Sequence, residues 1–174
     1  MSVIAGVDES GKGDFFGPLV VAAFACDESQ TDVLVSLGAR DSKLVSDPKL
    51  LKIDEALRQQ FPYVVIVVQP DQYNQRYRQI RNLNKLLADC HAEAIAKLAG
   101  QTIVDRAISD KFGKSELIEL ALHRCGCSVP LTQIVRGEAI PQVAAASVLA
   151  RARFLREMSR LSEQYGLELP KGAS

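Results

Sequence analysis

The 174-residue sequence has no net charge, no long hydrophobic run and no paired cysteine motif, and each absence excludes a class of protein. Lysine plus arginine and aspartate plus glutamate number 21 each. A purely electrostatic nucleic-acid binder would be strongly basic, so that class is disfavoured. No apolar run reaches the roughly 18 residues that a membrane span needs. The first residues lack the basic start of a signal peptide and reach an acid by the eighth position.

The cysteines show no framework spacing. They are Cys26, Cys90, Cys125 and Cys127. A chain of this size folds without disulfides, so we expect free thiols and a cytoplasmic protein. A zinc site at His123 and the last two cysteines is disfavoured, because C-x-C is not C-x-x-C and no second pair follows. Buried thiols at a helix end are the favoured interpretation.

The composition is that of a globular domain. Hydrophobic residues make up 47% of the chain, which excludes intrinsic disorder. The length predicts a single domain over residues 1–174, and we expect a monomer. Paired strands followed by strands that alternate with helices predict an α/β fold with a mixed sheet and helices packed on it.

Hydrophobic patterns place the predicted elements along the chain. The predicted strands are 3–7, 19–26, 63–68, 102–105 and 129–136. The predicted helices are 48–60, 82–98, 115–124 and 143–164. The unbroken apolar run 63–68 is typical of a central strand that is covered on both faces.

Acidic residues follow several predicted strands. Asp8 and Glu9 end the first strand, Asp105 ends the fourth, and Glu138 follows the fifth. Reactive groups in α/β sheets gather outside the carboxyl ends of strands, so we expect these carboxylates to converge. Oxygen ligands select Mg²⁺ or Mn²⁺, and two such ions can clamp the attacking and leaving oxygens of a phosphodiester.

Each acid alone is also consistent with an ordinary surface or capping residue. Asp105 is followed by Arg106, which could simply pair with it. The ordinary interpretation is weaker for Asp8 and Glu9, because two adjacent acids at the end of a buried strand are costly without a partner. If Asp105→Ala leaves activity intact, Asp110 becomes the candidate third carboxylate.

A glycine-rich segment separates the first two predicted strands. Residues 6–13 read GVDESGKG, one residue away from the phosphate-binding pattern G-x-x-x-x-G-K-[ST]. Triphosphate hydrolysis is disfavoured because Gly13 has no hydroxyl and two acids stand where amides should meet phosphates. Glycines here instead allow close approach to a sugar–phosphate backbone and its 2′-hydroxyl, with Lys12 meeting a phosphate. A plain turn between two strands is the alternative.

The motifs together resemble one family. Residues 7–19, VDESGKGDFFGPL, are similar to the signature of the type 2 ribonucleases H, and specifically of the ribonuclease HIII branch. Further matching segments follow in order: DSK at 41–43, NLN at 82–84, IVD at 103–105, RGE at 136–138, VAAASVLAR at 143–151 and LPKGAS at 169–174. The resemblance covers the whole chain.

The resemblance implies a ribonuclease H-like fold, with a mixed central sheet flanked by helices. It implies an endoribonuclease that cuts the RNA strand of RNA/DNA hybrids with two Mg²⁺ or Mn²⁺ ions, leaving 5′-phosphate and 3′-hydroxyl ends. The catalytic and metal-binding carboxylates would be Asp8, Glu9, Asp105 and Glu138. The substrate-binding residues would be Ser10, Gly11, Lys12, Gly13, Ser42, Lys43 and Ser147. The alternative is an inactive or weak nucleic-acid-binding module of the same fold, against which the intact acids speak.

Two further expectations concern how the substrate is held. The ribonuclease HIII branch usually carries an N-terminal domain that resembles the TATA-binding protein and continues past the final loop, so we expect a catalytic domain without these parts. In the segment from Tyr73 to Lys85, aromatic and basic residues interleave, which favours stacking and phosphate contacts. A solvated helix entry with core-packing tyrosines is the alternative.

Overall fold

A five-stranded mixed sheet forms the centre of the computed structural model, which describes residues 1–39 and 42–172. Its strands are β1 (Val3–Ser10), β2 (Leu19–Asp27), β3 (Tyr63–Val68), β4 (Arg106–Asp110) and β5 (Leu131–Ile134). Their order across the sheet is β3-β2-β1-β4-β5. Strand β2 pairs antiparallel with β1 and β3, whereas β4 runs parallel to β1 and β5. The predicted α/β class with a mixed sheet is confirmed.

In the described residues, six helices pack on or beside this sheet. They are α1 (Thr31–Ser36), α2 (Asp47–Gln60), α3 (Pro70–Ile80), α4 (Leu83–Gln101), α5 (Glu116–Arg124) and α6 (Pro141–Tyr165). Short 3₁₀ turns lie at Glu28–Gln30, Ser42–Leu44 and Gly137–Ala139. Helices α1 and α3 escape prediction because neither carries an apolar stripe: α1 buries only Leu34, and α3 buries no residue.

Strand β2 separates two apolar layers, because successive side chains of a strand point to opposite faces. Val21 and Ala23 pack with α4 and α5 on one face. Val20 and Phe24 pack with α2 and α6 on the other. Eight of the nine residues of β2 are buried, because β2 lies between β1 and β3 and is covered on both faces.

The prediction that residues 63–68 form a central strand is wrong. Strand β3 lies at the edge of the sheet, with Val64, Ile66 and Val68 buried on one face. On its other face, Tyr63 and Val65 are half-buried and pack against the layer of α2 and α6. An edge strand covered in this way needs apolar residues on both faces, which is why the run has no polar break.

The fourth strand begins later than predicted. Residues 102–105 do not form a strand: Thr102 caps α4 through its N–H, which donates to the carbonyl of Leu98 at 3.0 Å. Ile103 is 73% exposed, so its apolar character does not mark a buried strand. Strand β4 follows, and it is Asp110 rather than Asp105 that ends it.

Helix α6 crosses β1 at Gly6, and this contact brings the helix against the end of the strand. A Cβ atom on Gly6 would lie 2.1 Å from the carbonyl carbon of Gln142 and 2.3 Å from the nitrogen of Val143. Only glycine therefore allows the first turn of α6 to lie this close to β1.

None of the helices in the described ranges is both long and apolar enough to cross a membrane. The four cysteines have free thiols, as expected, but Cys125 is exposed and Cys127 half-buried, so the expectation of buried thiols at this helix end is wrong.

Gly6→Ala is expected to lower the free energy of unfolding by about 3 kcal/mol, because the added methyl group overlaps the main chain of α6. Gly100→Ala is the matched control, since a Cβ there meets nothing within 4 Å. The control is expected to be neutral or to stabilise by about 0.5–1 kcal/mol. Urea unfolding measures both, and a Gly6→Ala protein as stable as the wild type would contradict the proposed contact.

Candidate active site

Asp8 and Glu9 lie at the end of β1 and, as neighbours in a strand, point to opposite faces of the sheet. Asp8 faces α6, where the hydroxyl of Ser147 acts to lower its pKa. Glu9 faces α4, where its Oε2 lies 2.9 Å from Nε2 of His91. The Glu9 N–H also donates to Oδ1 of Asp8 at 2.8 Å. The two acids are therefore held by different helices.

Asp110 ends β4 beside Asp8. Strands β1 and β4 pair in parallel up to Val7 and Ser109, so the next residue of each strand is one of these two acids. Oδ1 of Asp110 accepts from the N–H of Gly137 at 2.9 Å. This contact holds the 3₁₀ turn that carries Glu138 against the end of β4.

A cleft of about 420 Å³ opens where β1 and β4 end. Four acids line it: Asp8, Glu9, Asp110 and Glu138. Of the residues predicted to bind substrate, those in its lining are Ser10, Gly11, Lys12, Ser42, Lys43 and Ser147. Gly13, the remaining predicted residue, is not part of that lining. The structure thus brings together acids and substrate-binding candidates from distant parts of the chain.

Asp105 lies at the opposite end of the strands, beside the start of β1. Its Oδ2 accepts from the N–H of Val3 at 2.7 Å, and the residue is exposed. Five residue steps of strand separate it from Asp110, roughly 16 Å at about 3.3 Å per residue. Asp105 therefore does not join the other acids as expected. Asp110 lies at the position that was expected for Asp105. Arg106 pairs with Glu28 instead, at 2.7 Å.

Sequence reasoning named Asp110 only as the alternative to Asp105, and it did not assign four other lining residues: Arg151, Phe154, Leu155 and Lys171. The available signals were modest: Asp110 directly follows the buried residues Ala107–Ser109, and Arg151 and Lys171 stand within the segments that resemble the family. Phe154 and Leu155 look like ordinary core positions of a long helix.

The carboxylates of Asp8 and Glu9 differ in their electrostatic surroundings. Burial and the neighbouring charge of Glu9 raise the pKa of Asp8 to about 7. Burial acts to raise the pKa of Glu9 as well, but the hydrogen bond with His91 and the charges of His91 and Lys12 outweigh it and hold that pKa below its ordinary value. Asp8 is thus a buried acid whose ionised form lacks sufficient compensation.

Basic and hydroxyl groups on α6 and the loops surround the same cleft. Arg151 donates to the carbonyl of Ser42 and to Asp47, both at 3.1 Å. Lys171 donates to the other oxygen of Asp47 at 2.9 Å. Ser147 donates to the hydroxyl of Ser42 at 2.9 Å. Asp41, which precedes Ser42 in the sequence motif, lies outside the described residues.

Asp14 joins the glycine-rich loop to the end of the described chain. Its Oδ1 accepts from the N–H groups of Phe16 and Gly17 at 3.0 and 2.6 Å, and its Oδ2 accepts from Gly172 at 2.6 Å. In the same loop, Gly11 has a φ of +83°, and a Cβ there would lie 2.1 Å from the Pro18 carbonyl oxygen. The loop therefore requires glycine at this position, for both its conformation and its close packing.

The donor chemistry of the cleft fits a divalent cation. Among the described residues, no three His, Cys, Asp or Glu side chains stand close enough together to hold a metal ion as they are placed. This applies both to the carboxylates of the cleft and to the region of Cys125 and Cys127. The cleft nevertheless offers oxygen ligands alone, the set that hard divalent ions prefer. The raised pKa of Asp8 indicates a carboxylate that a cation would stabilise.

The segment from Tyr73 to Lys85 lies outside the cleft lining. It forms most of α3, the turn after it and the start of α4. The rings of Tyr73 and Tyr77 stack at 5.9 Å, and Arg76 donates to the sulfur of Cys90 at 3.9 Å. Its role in gripping a substrate stays a prediction.

Comparisons with known proteins identify relatives along nearly the whole chain. The family model for ribonuclease HII matches residues 5–174. Ribonuclease HIII of Chlamydia felis is 44% identical over 172 residues, which are 97% of this chain and 57% of that relative. Ribonuclease HIII of Protochlamydia amoebophila is 40% identical over 169 residues, which are 97% of this chain and 56% of that relative. The chain thus spans little more than half the length of these curated relatives.

Solved structures agree with the fold. The crystal structure of Bst-RNase HIII in complex with Mn²⁺ superposes with a TM-score of 0.92 and 34% identity, over 99% of this chain and 58% of that one. Ribonuclease HII of Archaeoglobus fulgidus, solved in complex with PCNA, gives a TM-score of 0.85 and 32% identity, over 99% of this chain and 82% of that one.

Asp8→Asn is expected to stabilise the metal-free protein, and more so at pH 8 than at pH 5. At pH 8 the carboxyl is ionised in both states, and burying the charge destabilises the folded state. As the pH falls through about 7, the folded protein takes up the proton. The destabilisation therefore shrinks as the pH approaches 3.8, the pKa of the carboxyl in the unfolded state. The gain at pH 8 is expected to be about 2 kcal/mol, or roughly 4–8 °C in Tm.

Thermal unfolding in chelator at both pH values measures this gain. Asp105→Asn is the matched control, because it removes an aspartate charge at the exposed, opposite end of the strands. The control is expected to show no gain that grows with pH. An equal gain at pH 5 and pH 8 for Asp8→Asn would contradict the prediction.

Proposed function

This chain belongs to the ribonuclease HII family, and from that membership we propose that it is an endoribonuclease that hydrolyses the RNA strand of RNA/DNA hybrids. The cleft at the ends of β1 and β4 carries the proposal, because Asp8, Glu9, Asp110 and Glu138 line it together with basic side chains. Phosphodiester cleavage needs this combination of carboxylates, which hold divalent cations, and basic side chains, which hold phosphates.

The four acids are proposed to hold two divalent ions, Mg²⁺ or Mn²⁺. Asp8 and Asp110 would hold one, and Asp8, Glu9 and Glu138 the other, so that Asp110 replaces Asp105 in the assignment. Bound there, the ions would supply a more acidic attacking water and neutralise charge on the leaving oxygen. The Mn²⁺ complex of the similar Bst-RNase HIII supports this choice of metal.

The other lining residues are proposed to position the hybrid. Because Gly11 has no side chain, its main-chain groups suit a contact with the ribose 2′-hydroxyl. Lys12 and Lys43 would meet phosphates as point charges. Ser42 and Ser147, whose hydroxyls already contact each other, would donate to phosphate oxygens beside the acids.

The same residues indicate how the bond is broken. Of the serines that line the cleft, Ser42 and Ser147 contact each other rather than a histidine. His91 contacts Glu9 and Ser109 and is fully buried. Water is therefore the proposed nucleophile, with the ribose 3′-oxygen as leaving group. Attack on phosphorus with loss of that oxygen yields 5′-phosphate and 3′-hydroxyl ends without a covalent intermediate.

A gel assay tests the proposal. The protein is incubated with labelled RNA/DNA hybrid, duplex DNA and ATP, each with Mg²⁺, Mn²⁺ or chelator. Metal-dependent cutting of the RNA strand alone is the expected result. Binding of the hybrid without cutting would indicate an inactive binding module, and release of phosphate from ATP would indicate a triphosphatase; either would overturn the proposal.

Asp110→Asn and Asp105→Asn form a matched pair, since one aspartate ends β4 and the other precedes it. Asp110→Asn is expected to lower the kcat for hybrid cleavage at least 100-fold, because it removes a charged ligand from the cleft. Asp105→Asn is expected to keep kcat within about threefold of the wild type. The opposite ranking would return the third carboxylate to Asp105. Removing one group that stabilises the charge of a transition state typically lowers kcat by about 100- to 1,000-fold.

A further inference from the structure

His91 is a fully buried, polar residue in the otherwise apolar inner face of α4. Its neighbours on that face include Leu87, Ile95 and Leu98, which belong to the apolar layer beneath the sheet. Burying an imidazole there costs free energy unless both ring nitrogens find partners. Both do, and both partners lead to the acidic cleft.

The first partner is Glu9. Nε2 of His91 lies 2.9 Å from Oε2 of the carboxylate, across 82 residues of sequence. An ionised carboxylate can only accept a hydrogen bond, so Nε2 donates. This bond occupies one carboxylate oxygen and restrains the side chain, which is 14% exposed, at the wall of the cleft.

The second partner connects the ring to β4. Nδ1 of His91 lies 3.1 Å from the hydroxyl of Ser109, a fully buried residue. That hydroxyl also lies 3.0 Å from the carbonyl oxygen of Asp110. The rings of His91 and Phe112 form a T-shaped pair with centroids 4.8 Å apart, and Lys12 lies over the same phenyl ring at 5.7 Å from its centroid. One buried ring thus contacts the ends of β1 and β4, the strands that carry three of the four acids.

We propose that His91 is a positioning residue that orients the Glu9 carboxylate for divalent-metal binding. The inference rests on the metal site of the proposed function and deepens it, because none of the site residues named above acts from beneath the sheet. With one carboxylate oxygen fixed by His91, the other is left to face the cleft. Groups that orient a metal ligand in this way typically change metal affinity 10–100-fold when removed.

Two amide variants test whether the hydrogen bond that His91 donates to Glu9 is needed, or only a polar side chain at this position. In His91→Gln the amide nitrogen reaches the position of Nε2 and can still donate to Glu9. In His91→Asn the shorter amide reaches only the position of Nδ1, near Ser109. Calorimetric titration with Mn²⁺ is expected to give an affinity within about threefold of the wild type for His91→Gln and about tenfold weaker for His91→Asn.

Ile95→Ala is the packing control, because it truncates a buried side chain one turn further along α4. This variant is expected to lower Tm without changing the Mn²⁺ affinity. Wild-type Mn²⁺ affinity in a folded His91→Asn protein would overturn the inference. So would an equal loss of affinity in both amide variants.

A second measurement needs no variant. The chain has two histidines, His91 and the exposed His123 on α5, so their imidazole ¹⁵N resonances are readily assigned. Titration of the wild-type protein with Mg²⁺ is expected to shift the His91 resonances and leave those of His123 in place. If calorimetry shows Mg²⁺ binding while His91 does not respond, the inference fails, even if His91→Asn does not fold.

The outcomes also separate this inference from the proposed function. A protein that cleaves the hybrid while His91→Asn binds Mn²⁺ like the wild type retains the function and loses the inference. A protein whose His91 responds to Mg²⁺ but which cuts no hybrid retains the inference and loses the proposed activity.

Discussion

The parallel pairing of β1 with β4 is the constraint on which the rest of the site depends. Because the two strands run in the same direction and in register, Asp8 and Asp110 reach the same edge of the sheet although 102 residues separate them. Burial and the neighbouring charge of Glu9 both raise the pKa of Asp8, so its ionised form is disfavoured at this position. The apolar layers on both faces of the sheet therefore stabilise an arrangement that the acids alone would oppose.

Much of this architecture was predictable from local patterns, and the failures have physical causes. Runs rich in β-branched residues gave β1 and β2, and 3.6-residue periodicity gave α2, α4 and α6 nearly to their ends. Strand β4 was misplaced because Ile103 and Val104 are more apolar than Arg106 and Ser109, whereas the folded chain buries Ser109 and exposes Ile103. Ser109 is buried because His91 partners it, a long-range contact that no window of sequence contains.

The site divides in the same way. Asp8, Glu9 and Glu138 follow strands whose positions the sequence predicts well, and all three line the cleft. The third acid depended on where β4 ends, so the error in that strand became an error in the site. Residues that act through others were beyond sequence reasoning altogether, because a histidine on an apolar helix face is indistinguishable from a core residue until the opposing strand is known.

The bond between Asp14 and Gly172 links positions 158 residues apart and bears on how the protein is made. Asp8 and Glu9 are synthesised before α6 and before Lys171, which contribute to the lining of the same cleft. A nascent chain that ends after α5 therefore carries these two acids without the residues that complete the cleft.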